Sequence, residues 1–371
     1  MIERLPGLRR LPPMLRRVEP DVVLFHSWWG KLADSPRAIA EELRRRDVPL
    51  EHVWVLDDAA AAPDGAVAVR PGSLEYLRQT GRARYVVSNN TLPAYFRKKR
   101  GTTYLQTWHG TPLKRIGFDI ERPAFAGGDA YLSDLAREAE CWDYLVSPNG
   151  FSSKAFRSAF RYRGEILETG YPRNDLLLAP DRDHVRARAR RELGIQDGVR
   201  AVLYAPTWRD SGSFSTELDL DALASGLGDG YIVLLRAHNL DAASVRMAER
   251  PRLRNVSDRD DAGELFLAAD VLVTDYSSVM FDFAVTRKPM VFFTYDLERY
   301  RDEVRGFYFD FAAEAPGPMV ATTAALAAEL SDLDAVSRRF DAPYERFRER
   351  FCALEDGHAA ARVVDAVFGA V

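Results

Sequence analysis

The chain has 371 residues and a formal net charge of −4. It is long enough for two ordinary domains and is not a nucleic-acid binder by bulk electrostatics. Hydrophobic residues make up 47% and charged residues 29%, the balance of a folded soluble protein, and no apolar run approaches the roughly 20 residues of a spanning helix. Its two cysteines, Cys141 and Cys352, form no disulfide framework and sit in no metal-binding pattern, which fits a reducing cytoplasm.

Along the chain, short β-rich runs alternate with helical patterns. Val22–Phe25, Val53–Leu56, Tyr85–Ser88 and Tyr104–Thr107 read as strands, with helices at Ser35–Arg46 and Ser73–Gly81 between them. Tyr144–Ser147 and Ile166–Thr169 continue the series. A helix at Asp183–Leu193 ends at Gly194. A second run of strands follows at Ala201–Ala205, Tyr231–Arg236, Val271–Thr274 and Met290–Phe293. Helices near Asp219–Ala224, Ala262–Ala269 and Val279–Thr286 separate them, and a mostly helical tail runs from about Thr322. This alternation predicts an α/β protein built from two doubly wound parallel sheets facing each other. The expected divisions are a basic N-terminal segment 1–20, a first Rossmann-like domain 21–185 and a second 186–371, with a linker near 178–195.

Four segments lie where predicted strands end, which is where ligands sit in open α/β sheets. Gln106-Thr107-Trp108-His109-Gly110-Thr111-Pro112-Leu113-Lys114 puts a histidine at a strand end. It is either a structural polar residue or a proton carrier near neutral pH. Tyr204-Ala205-Pro206-Thr207-Trp208-Arg209-Asp210 offers a hydroxyl and a guanidinium, or simply a surface Arg–Asp pair. Arg236-Ala237-His238 places a cation and an imidazole on one strand face, suited to phosphate or to solvent. Thr274-Asp275-Tyr276-Ser277-Ser278 ends a buried strand just before a helix, and Ser277 and Ser278 either cap that helix or help it bind an anion. Asp282 falls in the first helical turn. Together Arg209, Arg236, His238, Ser277 and Ser278 line one sheet edge as a pyrophosphate pocket. No Gly-x-x-x-x-Gly-Lys loop or Gly-x-Gly-x-x-Gly fingerprint is present.

On these motifs the chain resembles the CDP-glycerol glycerophosphotransferase family, the teichoic-acid primases and polymerases of GT-B type. Gly170-Tyr171-Pro172-Arg173-Asn174-Asp175, Phe25-His26-Ser27-Trp28-Trp29-Gly30-Lys31, Asp34-Ser35-Pro36-Arg37 and the stretch from Phe281 to Tyr308 add to the match. The resemblance covers residues 22 to 312 in order. It implies a GT-B fold in which an inter-domain cleft binds CDP-glycerol mainly through the second domain. His109 is then the base acting on the acceptor hydroxyl, with Gly110, Thr111 and Lys114 on the acceptor side. His238, the second catalytic residue, joins Arg236, Arg209, Ser277 and Ser278 on the pyrophosphate, with Asp275 and Thr207 in support. The implied reaction is attack on the glycerol-bearing phosphorus with release of CMP. The donor is CDP-glycerol or CDP-ribitol, and the acceptor is polyprenyl-linked or a glycan. One departure stands out: the family's Phe-Glu-Ser has His26 in place of its glutamate.

No Asp-x-Asp is positioned to hold a nucleotide-bound cation, so neither metal nor cofactor is expected, and Asp57-Asp58 reads as a strand-end loop. Leu5 to Arg17 mixes apolar and basic residues and is either a disordered basic tail or a contact with an anionic membrane surface. The latter implies a peripheral position on the inner face of the cell membrane. A nucleotide-sugar glycosyltransferase and a non-catalytic membrane-assembly subunit are the alternatives.

Overall fold

The computed structural model describes residues 17–121, 128–207, 216–237 and 250–369. The chain forms two compact units. Unit 1 runs to His109, resumes over Gly117–Asp175 and takes in Leu354–Val371; unit 2 comprises Gly110–Ile116 and Leu176–Ala353.

Unit 1 holds a seven-stranded parallel sheet. Its strands are β1 (Glu19–His26), β2 (Glu51–Val55), β3 (Val67–Val69), β4 (Ala83–Ser88), β5 (Thr103–Gln106), β6 (Tyr144–Ser147) and β7 (Glu165–Glu168), in the spatial order β3-β2-β1-β4-β5-β6-β7. Order reverses between β1 and β4, so their carboxyl ends flank a topological switch point. Val22 to Phe25 and Val86–Val87 are fully buried, as expected of strands covered on both faces. Val23, Phe25, Trp54, Val87, Leu105 and Val146 form one core cluster with Val363 and Val364 of the last helix, Ala359–Phe368. Ser73 caps the helix Leu74–Arg82 by accepting from Tyr76 N at 3.0 Å, as its Pro-Gly-Ser start predicts.

Unit 2 holds a six-stranded parallel sheet: β8 (Arg200–Tyr204), β9 (Tyr231–Leu235), β10 (Leu253–Asn255), β11 (Val271–Thr274), β12 (Met290–Phe293) and β13 (Met319–Val320), ordered β10-β9-β8-β11-β12-β13. The switch point falls between β8 and β11. Its core gathers Val202, Tyr204, Val233, Leu235, Val273 and Val291 with Leu326 and Leu330 from the helix Thr323–Ser331.

The chain therefore divides at Asp175/Leu176, not at 185/186, and its last residues return to unit 1. Two local causes are visible. The expected linker contains the helix Arg182–Glu192, which is tied into unit 2: Arg186 and Arg190 bond Asp270 at 2.6 and 3.1 Å, and Arg190 also reaches the Ala268 carbonyl at 2.9 Å. Asp175 accepts from Ala359 N and Ala360 N at 2.9 and 2.8 Å, capping the last helix from a distant motif. Of the basic N-terminal segment, residues 1–16 lie outside the described residues.

Candidate active site

In unit 1, strand pairing sets His26, Ser88 and Gln106 side by side as the last residues of β1, β4 and β5. The loops just beyond this row carry the chemistry. Asn89 and Asn90 follow β4, Trp108 and His109 follow β5, and Trp28 follows β1. The Gln106 side chain accepts from Trp108 N at 2.9 Å and donates to Asn90 O at 3.3 Å, which pins the two loops together. His109 Nδ1 lies 2.7 Å from Asn89 O. A carbonyl only accepts, so Nδ1 carries the proton and Nε2 of the neutral ring is left as the acceptor. Burial pulls the His109 pKa below its ordinary value. The Asn89 bond and the Asp34 charge push it up, and Arg173 pushes it down. A neutral imidazole with a fixed tautomer is the state a general base requires.

The backbone around this histidine is unusual. Trp28, Trp29 and Trp108 adopt φ values of 44°, 56° and 52°, a left-handed conformation that bulky residues rarely enter. Such outliers concentrate at functional sites. The Trp108 indole stacks on His109 at 4.2 Å between centroids, and Trp28 approaches it at 5.1 Å.

In unit 2, the switch point is braced by Asp275. Its Oδ1 accepts from Thr207 N at 2.8 Å and Tyr276 N at 2.6 Å, and Thr274 Oγ1 donates to Ala205 O at 2.6 Å. Asp275 thus joins the loops after β8 and β11. The helix Val279–Ala284 begins there, with Ser278 at the N-cap position but no side-chain cap bond. Ser277 Oγ stands 3.5 Å from Val279 N. Capping therefore does not account for both serines, although Ser277 lies near the helix start. Gly110, the residue after His109 in the chain, packs against Ser278: a Cβ there would stand 2.6 Å from its Oγ and 2.9 Å from its Cβ. Arg236 donates to Arg259 O at 2.7 Å. Burial lowers its pKa, opposed by Asp261, Asp260 and Asp258.

Residues 11–369 match the sequence model of the CDP-Glycerol:Poly(glycerophosphate) glycerophosphotransferase family. The chain belongs to that family. It is 39% identical over 367 residues to the teichoic acid poly(glycerol phosphate) polymerase of Bacillus subtilis, covering 95% of this chain and 49% of the relative. It is 38% identical to the teichoic acid glycerol-phosphate transferase of Staphylococcus aureus, covering 94% and 93% respectively. The chain thus spans about half the length of some relatives and nearly all of others. The structure of the wall teichoic acid polymerase TagF, including a form soaked with CDPG, superposes with a TM-score of 0.87 at 37% identity, covering 95% of this chain and 89% of that one. The two doubly wound sheets are those of a GT-B-like fold.

His109, Thr207, Arg236, Asp275, Ser277 and Ser278 all lie at carboxyl ends of strands or just beyond them, beside or next to a switch point. Asp275 is a buried brace. Arg209 and His238 lie outside the described residues. Gly110, Thr111 and Lys114 group with unit 2, where Lys114 pairs with Phe307 and lies over the Tyr300 ring at 5.9 Å. Asp58 caps a short turn through Ala60 N at 2.9 Å, the loop role expected of it. Among the described residues, no group of three or more His, Cys, Asp or Glu could hold a metal ion, and no helix is long and apolar enough to cross a membrane. A cavity of about 160 Å³ beside Arg287, Met290 and Tyr344 opens at the amino end of β12, away from the ligand-binding edge. Asn89 and Asn90 were not singled out by sequence, and Gln106 only opened the His109 segment. Their signal was positional only, since each borders the end of a predicted strand.

Proposed function

We propose that this chain transfers glycerol phosphate, or a related alditol phosphate, from a CDP-alditol to an acceptor hydroxyl in the synthesis of a teichoic-acid-like polymer. The observation that carries this reading is the fixed Nδ1–H of His109, which leaves Nε2 as the proton acceptor at a sheet's ligand-binding edge. The relatives' printed activities, teichoic acid poly(glycerol phosphate) polymerase and teichoic acid glycerol-phosphate transferase, support the substrate class.

The hydroxyl of a lipid-linked or glycan acceptor gives its proton to His109 Nε2 as its oxygen attacks the glycerol-bearing phosphorus. The bond from that phosphorus to the bridging oxygen breaks, and CMP leaves with the electron pair. Phosphoryl transfer depends chiefly on positioning and charge stabilisation. Arg236, the Ser277–Ser278 segment and, by family resemblance, Arg209 and His238 meet the pyrophosphate charge. No bound metal or cofactor enters this scheme. The basic residues 1–20 fit a peripheral position on the inner membrane face.

His109→Ala should lower CMP release roughly 10²–10⁴-fold, with CMP affinity by calorimetry unchanged. Turnover near wild type would remove His109 as the base. Parallel assays with CDP-glycerol, CDP-ribitol and UDP-sugars, with and without chelator, test the donor and the metal independence. UDP release from a UDP-sugar alone would favour a glycosyltransferase.

A further inference from the structure

Two family motifs, Asp34-Ser35-Pro36-Arg37 and Gly170 to Asp175, have no role in the scheme above, yet both converge on His109. Asp34 accepts the Trp28 indole N–H at 3.0 Å. Arg173 approaches both oxygens of the same carboxylate at 3.2 Å and lies 4.4 Å from the Tyr171 ring centroid. The carboxylate side chain is 7% exposed and the guanidinium side chain 14%, so the pair is shielded from solvent screening. Trp28 N donates to the side-chain oxygens of Asn89 and Asn90, each at 3.1 Å, and Asn89 O in turn holds His109 Nδ1. The imidazole is thus contacted by two indoles, Trp108 stacked and Trp28 tilted. Trp28 is anchored at both its backbone and its ring nitrogen.

Asp34 itself sits at φ 63°. Asp and Asn tolerate that region better than other side chains with a Cβ, so holding a carboxylate in place there carries a backbone cost. An ordinary helix start would not need that conformation. Asp34 gives the following helix little in return: its Oδ1 accepts from the adjacent Ser35 N at 2.6 Å and otherwise faces Arg173.

We propose that Asp34 and Arg173 are positioning residues that act through Trp28, holding the His109 ring in place and balancing the charge around it. The proposal rests on the reading of His109 as the base. Two charged side chains act on that ring with opposite sign: Asp34 raises its pKa and Arg173 lowers it. His26, at the end of β1, is buried and neutral near pH 7, so it adds no charge.

The test measures His109 directly and separately from turnover. The ring carbons of ¹³C-labelled histidine are followed by NMR against pH, and the His109 signal among the six histidines is identified by its loss in His109→Gln. Asp34→Asn keeps an acceptor for the indole and suits φ 63°, so it removes charge alone and should shift the His109 titration down. Arg173→Gln should shift it up, and Arg173→Lys should restore it toward wild type. Trp28→Ala should lower kcat roughly tenfold to a hundredfold through a displaced ring, with KM for the CDP-alditol unchanged. If the two charge variants leave the titration in place or move it the same way, the proposal is overturned. If the titration moves as expected but the acid limb of kcat/KM does not follow, the charge balance stands and His109 is not the base.

Discussion

His26→Gln isolates one term in the acid stability of unit 1. His26 is 2% exposed, its Nδ1 is 3.4 Å from Ser88 Oγ, and burial holds its pKa down to about 4. In the unfolded chain the same group titrates near 6.5. Because the folded value lies lower, the unfolded state takes up the proton first and stability falls as pH drops through 6.5 toward 4. Between pH 8 and pH 5 this linkage removes about 2 kcal/mol. His52, buried and also near 4, acts in the same direction. Glu138 opposes both. Burial raises its carboxyl to about 7, so its contribution is largest in acid and is lost as pH rises from 4.5 to 7, a swing of about 2.5 kcal/mol over the same interval. The wild-type curve is therefore shallower than either histidine alone would make it. Urea midpoints read by tryptophan fluorescence should show a pH 8 to pH 5 change in stability about 2 kcal/mol more favourable to the fold in His26→Gln than in wild type. An identical change in the two proteins would mean that His26 does not resist protonation in the folded state.

Two further changes test packing. Gly110→Ala forces a Cβ to within 2.9 Å of the Ser278 Cβ; overpacking of this kind costs about 1–3 kcal/mol. Expressed at the site, it should lower kcat/KM roughly tenfold to a hundredfold, and steady-state rates near wild type would refute the close approach. Lys288→Met removes an amino group, its pKa lowered by burial to about 7, that donates to Phe266 O, Leu267 O and Ala269 O at 2.9, 2.7 and 2.6 Å. It should destabilise unit 2 by roughly 2–4 kcal/mol, since these carbonyls lose their donor. A denaturation midpoint within error of wild type would show that water replaces it.

Much of this architecture was legible because buried parallel strands are short apolar runs with sharp ends. Val271–Thr274 and Met290–Phe293 match their strands residue for residue. The strands Val67–Val69, Leu253–Asn255 and Met319–Val320 passed unnoticed. Each has two or three residues and an edge or near-edge place, too short to show a period. The helices Gly128–Ala139 and Gly150–Ala159 were missed as well. At the site, strand ends located His109, Ser277 and Ser278, since chain order brings such ends to one edge of a sheet. The Trp28–Asp34–Arg173 connection was not legible. It links residues 6 and 139 positions apart through loop conformations at positive φ, which spacing does not encode. The return of the C-terminus to unit 1 was hidden for a similar reason: the helical tail has no pattern that names its partner.

The four crossings of the chain between units, after His109, Ile116, Asp175 and Ala353, bear on its biosynthesis. Val363 and Val364, which complete the core of the first sheet, leave the ribosome only after the whole of unit 2. Until they emerge, the first sheet to be translated keeps an apolar face open while the whole of the second is made. The nascent chain therefore finishes its units out of order. A stop codon after residue 353 would leave unit 2 with its full complement of residues and unit 1 with an unsealed surface, open to chaperones and to aggregation.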